Sequence, residues 1–282
     1  MSLQISVITP NFNYGKYLQR CLESVAQQNY ENWEHLIIDG GSTDNSLKIV
    51  ESFTTHYSGK TKLIKQTQRK GQTNAINLGL QNAKGDIYGW LNSDDYYCDD
   101  IFTTVANIFE KNDNLEAIYG EIFLVNSQEN VIRKNRYLKF DYNSGIFNGF
   151  GRMIPCGGIF WRSKLTKEVG LLDEQFDYAM DGEYWSRLFY KRKLKYISTP
   201  LACWRLHEEA KTFDRQQKEN KAYRLAENEN QIIAERAYQN LALAKILPYK
   251  KSGLVFAWYY FKRRFLRLMK GHYNYKIFSG KS

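Results

Sequence analysis

A chain of 282 residues with 43% hydrophobic and 15% aromatic side chains, and only four prolines, has the apolar material for a sizeable core, which excludes disorder over most of its length. Its formal net charge of +10 favours anionic partners such as nucleotide sugars, phospholipid head groups or nucleic acid. Cys21, Cys98, Cys156 and Cys203 are scattered with no close pair, which argues against a zinc site and a disulfide framework and for a reducing cytosol. The amino terminus runs almost directly into strand-forming residues, so no secretory signal is visible, and no apolar run approaches the roughly 18 residues of a membrane span. The expectation is a chain that is soluble or lies on a membrane.

Taken in order, residues 5–9 read as a buried strand that stops at Pro10, and a loop of Asn11, Phe12, Asn13, Tyr14 and Gly15 leads into a helix over residues 16–28. Leu18, Cys21, Leu22 and Val25 share one face of that helix. A second strand, residues 34–39, breaks at Gly40 and Gly41, and Ser42, Thr43, Asp44 and Asn45 offer caps for a helix reaching Phe53. Residues 62–65 form a weaker third strand and residues 73–83 a third helix. The fourth strand, residues 87–91, ends in Asn92, Ser93, Asp94 and Asp95. Strand and helix alternating four times predict an α/β fold with a mostly parallel sheet and right-handed crossovers. Thr9, Asp39, Asp94 and Asp95 then all stand at carboxyl ends of strands, where α/β folds collect ligands.

Two adjacent carboxylates repel, and are cheap to hold only if solvent, a helix amino terminus or a cation neutralises them. A hard divalent ion such as Mg2+ or Mn2+ uses one or two carboxylates plus substrate phosphates. An acidic pair after a strand is by itself a solvated turn more often than a metal site, and Thr9, Asn11, Asn13 and Asp39 are individually ordinary turn and cap formers. No glycine-rich dinucleotide fingerprint follows the first strand and no P-loop follows any strand.

Four segments together are more specific: SVITPNFN at 6–13, IIDGGSTD at 37–44, KGQTNAIN at 70–77 and GDIYGWLNSDD at 85–95. In order and spacing they resemble the family two glycosyltransferases of the GT-A fold, over about the first two hundred residues. The resemblance implies a nucleotide-diphosphate sugar donor, expected to be UDP-linked, bound by a mostly parallel sheet flanked by helices, with Mn2+ or Mg2+ as cofactor and inversion at the anomeric carbon. Carried across, it makes Thr9, Pro10, Asn11 and Asp39 the nucleoside side of the site and puts Gln72 near the donor phosphates or sugar. Asn92, Ser93, Asp94 and Asp95 then form the DxD-type site for ribose and metal, Asp95 and Asp94 being its metal carboxylates. Relatives commonly carry Asp where this chain has Gly40 and Asn92, which leaves base recognition open and removes one carboxylate.

Further on, residues 99–109 read as a helix, 117–125 as a strand and 126–135 as a hairpin or loop, while 137–152 are aromatic and aperiodic, a place to grip an acceptor. Gly157 and Gly158 allow either close approach to a ligand or a bulge. In LDEQFDYAMDGEYWSR, 172–187, Asp181 stands just before a helix and locally reads as an N-cap. The segment resembles the family motif that supplies the general base, which makes Asp181 the expected base and Glu183 its runner-up or an acceptor-orienting group. An inverting transfer needs such a carboxylate opposite the leaving diphosphate. Trp185 is either a platform for a sugar ring or core. Relatives carry Arg-x-His where this chain has Arg205 and His207, which implies His207 as a metal ligand or phosphate contact and Arg205 as a diphosphate partner.

These readings divide the chain into a catalytic domain, 1–210, with a nucleotide-sugar half (1–97) and an acceptor half (98–210), and a basic helical extension, 211–282. Residues 213–246 are charged and helix-favouring, too sparse in apolar residues for a deep core, and end before Pro248. In residues 250–270, Leu254, Trp258, Phe261, Phe265 and Leu268 share a helix face, with Arg263, Arg267 and Lys270 largely away from it. That is the pattern of a helix lying on an anionic membrane, or of one packed on the domain or on a second subunit. The functional expectation is a metal-dependent inverting glycosyltransferase, cytoplasmic and peripheral on the inner membrane face, acting on a saccharide or lipid-linked saccharide in cell-surface polysaccharide synthesis. Two alternatives are weaker. A sugar-nucleotide nucleotidyltransferase needs a glycine-rich, Arg-bearing loop that residues 9–15 lack, and a non-catalytic basic binding protein for nucleic acid or membrane lacks a nucleic-acid motif.

Overall fold

A computed structural model of the chain describes residues 2–66, 70–210, 221–241, 245, 249 and 253–270. In its first half, β1 (Ile5–Asn11), β2 (Trp33–Asp39), β3 (Thr61–Lys65) and β4 (Ile87–Trp90) alternate with α1 (Gly15–Ala26), α2 (Ser46–His56) and α3 (Gly71–Asn82). β1 pairs in parallel with β2 and β4, and β2 in parallel with β3, as strand-helix-strand units dictate. β1 does not stop at Pro10. Pro10 is matched with Ile38 and Asn11 with Asp39, a proline being tolerated near the end of a strand.

After β5 (Tyr96–Tyr97) and α4 (Ile101–Glu110), β6 (Ala117–Val125) turns back through a hairpin into β7 (Val131–Asn135). The aperiodic stretch holds the short helix α5 (Tyr142–Asn148) and a 3-10 turn at Phe150–Arg152. Its aromatic residues give no period because several sides are covered: Ile146, Phe147 and Phe150 are all buried, and Phe140 and Tyr142 pack on the same core. β8 (Ile159–Arg162), α6 (Ser163–Val169), α7 (Met180–Leu188) and β9 (Leu194–Arg205) complete the body. β9 hides its strand character behind Pro200, which is accommodated by irregular registers against β6 around Gly120 and Glu121.

Among the described residues the sheet runs β3-β2-β1-β4-β8-β6-β9-β5, with β7 on the side of β6. β8 is antiparallel to both β4 and β6, and β9 is parallel to β6. Two reversals cancel, so β1, β2, β4, β6 and β9 all point their carboxyl ends at one edge, and β5, antiparallel to β9, starts from that edge. Asp39, Asp94 and Asp95, and the residues after β9 are delivered there by topology.

The main apolar core joins residues from β1 through α7 to α8 (Lys221–Tyr238). α8 is thus more than a tail on one side. Its core face is made of Ala222, Ala226, Ile233, Ala234, Ala237 and Tyr238, while Leu225 and Ile232 point outward. Alanines carry little hydrophobic signal but let a helix pack closely. The expected stop at Pro248, and residues 211–220 of the expected helix, lie outside the described residues. Cys98 and Cys203, distant in sequence, place their sulfurs 3.9 Å apart across β5 and β9, and all four cysteines are free.

α9 (Gly253–Met269) lays Val255 and Tyr259 on the core, the Tyr259 ring stacking on Phe147 at 5.1 Å. The Tyr259 hydroxyl accepts a hydrogen bond from Asn143 at 3.0 Å, and Arg263 donates to the Arg152 carbonyl at 2.8 Å. The opposite face is open: Leu254, Trp258, Phe261, Phe265 and Leu268 are each at least 59% exposed. No helix among the described residues is long and apolar enough to cross a membrane.

Candidate active site

At the end of β1 and β2 two loops are knitted into one floor. The Asp39 carboxylate is fully buried and accepts from the Gly41 and Ser42 backbone N–H groups at 3.0 and 2.8 Å, from the Ser42 hydroxyl at 2.7 Å and from the Asn11 amide at 2.8 Å. Asn13, held at φ 58°, accepts from the Thr43 N–H at 2.8 Å. Thr9 is turned inward, its hydroxyl 2.8 Å from His35 Nε2, and Pro10 is buried in the strand. The Thr9 and Asp39 side chains therefore shape the floor from beneath, and any contact of their own with a nucleoside needs these bonds to rearrange.

β4 ends beside the first turn of α3. Asn92 Oδ1 accepts from Trp90 Nε1 at 2.9 Å and from Gln72 Nε2 at 3.1 Å, which places Gln72 beside the acidic corner. Ser93 is buried, Asp94 half-buried, and Asp95 buried. Asp95 Oδ1 accepts from the Arg205 backbone N–H at 3.0 Å, and Arg205 Nε donates to the Asp94 carbonyl at 3.0 Å. Burial and the neighbouring Asp94 charge push the Asp95 carboxyl well above the usual carboxylate range, against the pull of Arg205.

Arg205 departs from its expected role as a diphosphate partner. Its guanidinium is buried, lies 4.8 Å over the Tyr17 ring and 5.5 Å over Tyr96, and donates to Glu129 at 2.9 Å, Glu129 also pairing with Arg20 at 3.4 Å. A cation so enclosed is a scaffold for the acidic pair. His207 places Nε2 3.1 Å from Asp94 Oδ2 and packs against Tyr17 and Tyr14, with ring centroids 4.5 and 5.7 Å away; its Nδ1 is buried without a partner. Among the described residues no group of three or more His, Cys, Asp or Glu side chains is arranged to hold a metal ion, so Asp94, Asp95 and His207 do not form a complete ligand set. What the corner offers a hard cation is carboxylate oxygen from Asp94 and Asp95, which suits Mg2+ or Mn2+ completed by diphosphate oxygens and water.

Asp181 lies inside α7, not before it: the helix starts at Met180 with Ala179 as its N-cap. Its half-buried carboxylate accepts from the Gly182 N–H at 2.7 Å and lies against Gly151, where a Cβ would come within 2.9 Å of Asp181 Oδ2. Glu183, two residues on, points to a different side of the helix and is buried in a two-pronged pair with Arg187, one arm at 2.8 Å; Arg187 also donates to the carbonyls of Val169 and Leu171. Glu183 is thereby spent on structure. Trp185 is core, enclosed by Trp161 at 5.5 Å and Phe189 at 5.4 Å. Gly157, at φ 74°, donates its N–H to the Trp90 carbonyl at 3.0 Å, so here the glycine serves a chain bend.

α3 joins the two acidic elements: Gln72 donates to Asn92 at 3.1 Å, and Thr73 donates to Met180 Sδ, next to Asp181, at 3.0 Å. Burial first, and then the charges of Asp181 and Asp95, push the Cys156 thiol well up.

Residues 6–169 match the family model for glycosyl transferase family 2. The chain belongs to glycosyl transferase family 2. Among curated relatives, an uncharacterized glycosyltransferase of Rickettsia felis is 26% identical over 73% of this chain and 34% of its own length. The minor teichoic acid biosynthesis protein GgaA of Bacillus subtilis is 29% identical over 67% of this chain and 44% of its own. The chain thus spans less than half the length of either relative. Among solved structures, S. aureus TarS 1-349 in complex with UDP superposes with a TM-score of 0.61 at 16% identity, over 89% of this chain and 77% of that one. A Pyrobaculum calidifontis mannosyltransferase in complex with GDP-Man and Mn2+ gives 0.57 at 16%, over 96% and 85%. These likenesses establish the family 2 chain as a GT-A fold.

Proposed function

We propose that this family 2 chain transfers a sugar from a nucleotide-diphosphate sugar, UDP-linked, to a hydroxyl of a saccharide or lipid-linked saccharide acceptor, with inversion, in cell-surface polysaccharide synthesis. The observation that carries the reading is the link through α3 between the two acidic elements: Gln72 bonds Asn92, beside Asp94 and Asp95, and its neighbour Thr73 bonds Met180, beside Asp181. The UDP and UDP-GlcNAc complexes of TarS support a UDP-linked donor, and the teichoic acid assignment of GgaA supports a cell-surface polymer.

In this reading the floor built by Asn11, Asp39 and Ser42 receives the nucleoside, and Gln72 with Asn92 borders the donor sugar. Asp94 and Asp95 would hold Mn2+ or Mg2+, which when bound would supply counter-charge to the leaving diphosphate. Asp181 takes the proton of the acceptor hydroxyl as its oxygen bonds to the anomeric carbon, and the carbon-oxygen bond to the diphosphate breaks on the opposite face.

The exposed face of α9 is the surface for an anionic membrane. Beside it a groove lined by Leu138, Phe140 and Leu266 carries Lys139, Lys262, Arg263 and Lys270 against a single acid, Asp141, which lies 3.5 Å from Lys262. A peripheral position on the inner face of the cell membrane would bring a lipid-linked acceptor to the site.

The test is Asp181→Asn against a panel of UDP-glucose, UDP-galactose, UDP-N-acetylglucosamine and GDP-mannose. Turnover of the best donor falls by about 10³-fold or more, as for loss of a general base, while UDP binding measured by calorimetry is unchanged. Wild-type turnover by the variant would remove Asp181 from the chemistry.

A further inference from the structure

Resting on Asp181 as the base, we infer that Glu229, on α8, is the residue that positions it. The segment leading into α7 has three successive backbone N–H groups aimed at one carboxylate: Glu229 Oε1 accepts from Asp177 at 3.1 Å, and Oε2 accepts from Tyr178 at 2.9 Å and Ala179 at 2.7 Å. Ala179, the N-cap of α7, offers no side-chain cap of its own. Glu229 supplies the missing acceptor from a helix fifty residues further along the chain, and its charge complements the positive end of the α7 dipole.

The carboxylate comes from a rigid element. α8 is seated in the core through Ala222, Ala226, Ile233 and Ala234, and Ile233 approaches Gly182 of α7. On the same side Gly182 lies close to Gly151, the residue that the Asp181 carboxylate touches. The first turn of α7 is therefore gripped between Glu229 at its start and the glycine contact at its side, and the position of Asp181 follows from both. The reaction is sensitive to such placement, a displacement of about 1 Å being enough to cost about 100-fold in rate. Glu229 never meets substrate in this account; it is a positioning residue.

The experiment compares Glu229→Ala, Glu229→Gln and Asp181→Asn on the full chain, with turnover of the best nucleotide sugar of the panel and UDP affinity by calorimetry. Glu229→Ala is expected to lower kcat by about 10- to 100-fold, with donor KM and UDP affinity held within about twofold, because the donor floor lies on β1 and β2. Glu229→Gln keeps an acceptor oxygen for Tyr178 and Ala179 and should recover most of the rate. If Glu229→Ala is unfolded by circular dichroism, Glu229→Asp, which withdraws the carboxylate by one methylene, carries the test with the same expected split. A kcat within threefold of wild type in Glu229→Ala or Glu229→Asp, while Asp181→Asn is inactive, would overturn the inference and leave the base assignment standing. A parallel loss of kcat and UDP affinity that Gln does not rescue would also overturn it, as the mark of general damage. Should Asp181→Asn itself turn over normally, the base assignment fails first.

Discussion

His35, fully buried on β2 with Nε2 against the Thr9 hydroxyl, shows how the floor of the site is linked to stability. Burial lowers its pKa from 6.5 to about 3, so it is neutral in the fold at pH 5 whereas the unfolded chain is protonated there. Because the unfolded state binds more protons, stability rises with pH in this window, and the contribution present above 6.5 is lost as pH falls toward 3. Urea unfolding at pH 7 and pH 5 should differ by about 2 kcal/mol on account of this residue, and His35→Gln should flatten that part of the slope whatever its overall stability. An unchanged slope would mean the imidazole titrates normally in the fold. At this scale the sequence is legible where neighbours in sequence are neighbours in space. Asp94 and Asp95 end a strand and are read directly, whereas the Asp181 and Glu183 roles separate only when Arg187, one helical turn on, is seen to bind Glu183. Arg205 gave no sign that two tyrosine rings and Glu129 would enclose it, since those partners come from α1, β5 and the β6–β7 hairpin.

Elements were readable in proportion to their periodicity. β1 to β4 and α1 to α3 carry a clean strand and helix alternation and stand where it places them, apart from the extra residues at the end of β1. α5 and β9 are obscured, one by aromatics buried on several sides, the other by Pro200 and its irregular pairing, and the core face of α8 is obscured by its alanines. α9 is the opposite case, since the face drawn from a helical repeat is the face left open. Each basic residue near an anionic surface adds about 1 kcal/mol to binding, so the helix should hold the protein on vesicles. Wild type is expected to sediment with phosphatidylserine-containing vesicles and less with neutral ones, and replacement of Leu254, Trp258, Phe261 and Phe265 by Ser should weaken binding by at least about tenfold. Equal sedimentation of the substituted protein would assign that face to another partner.

For the molecule as a whole, sheet order is what makes an active site from distant residues. Two antiparallel pairings through β8 return β6 and β9 to the direction of β4, so the acidic corner, Arg205 and His207 meet at one edge, while α7 is tied to α3 at that edge through Thr73 and Met180. Strand-helix alternation predicts that Asp39, Asp94 and Asp95 share one edge; a part for Asp181 is implied by the family resemblance alone, and nothing in the sequence points to Glu229. The central claim is that Asp94 and Asp95 make the donor-diphosphate corner. Its most direct test is calorimetric titration of UDP in the presence of Mn2+ into wild type, Asp95→Ala and Asp181→Asn. Wild type and Asp181→Asn should bind alike, and Asp95→Ala, or wild type in EDTA, should bind at least about tenfold more weakly. Binding by Asp95→Ala with wild-type affinity, metal present or not, would contradict the account.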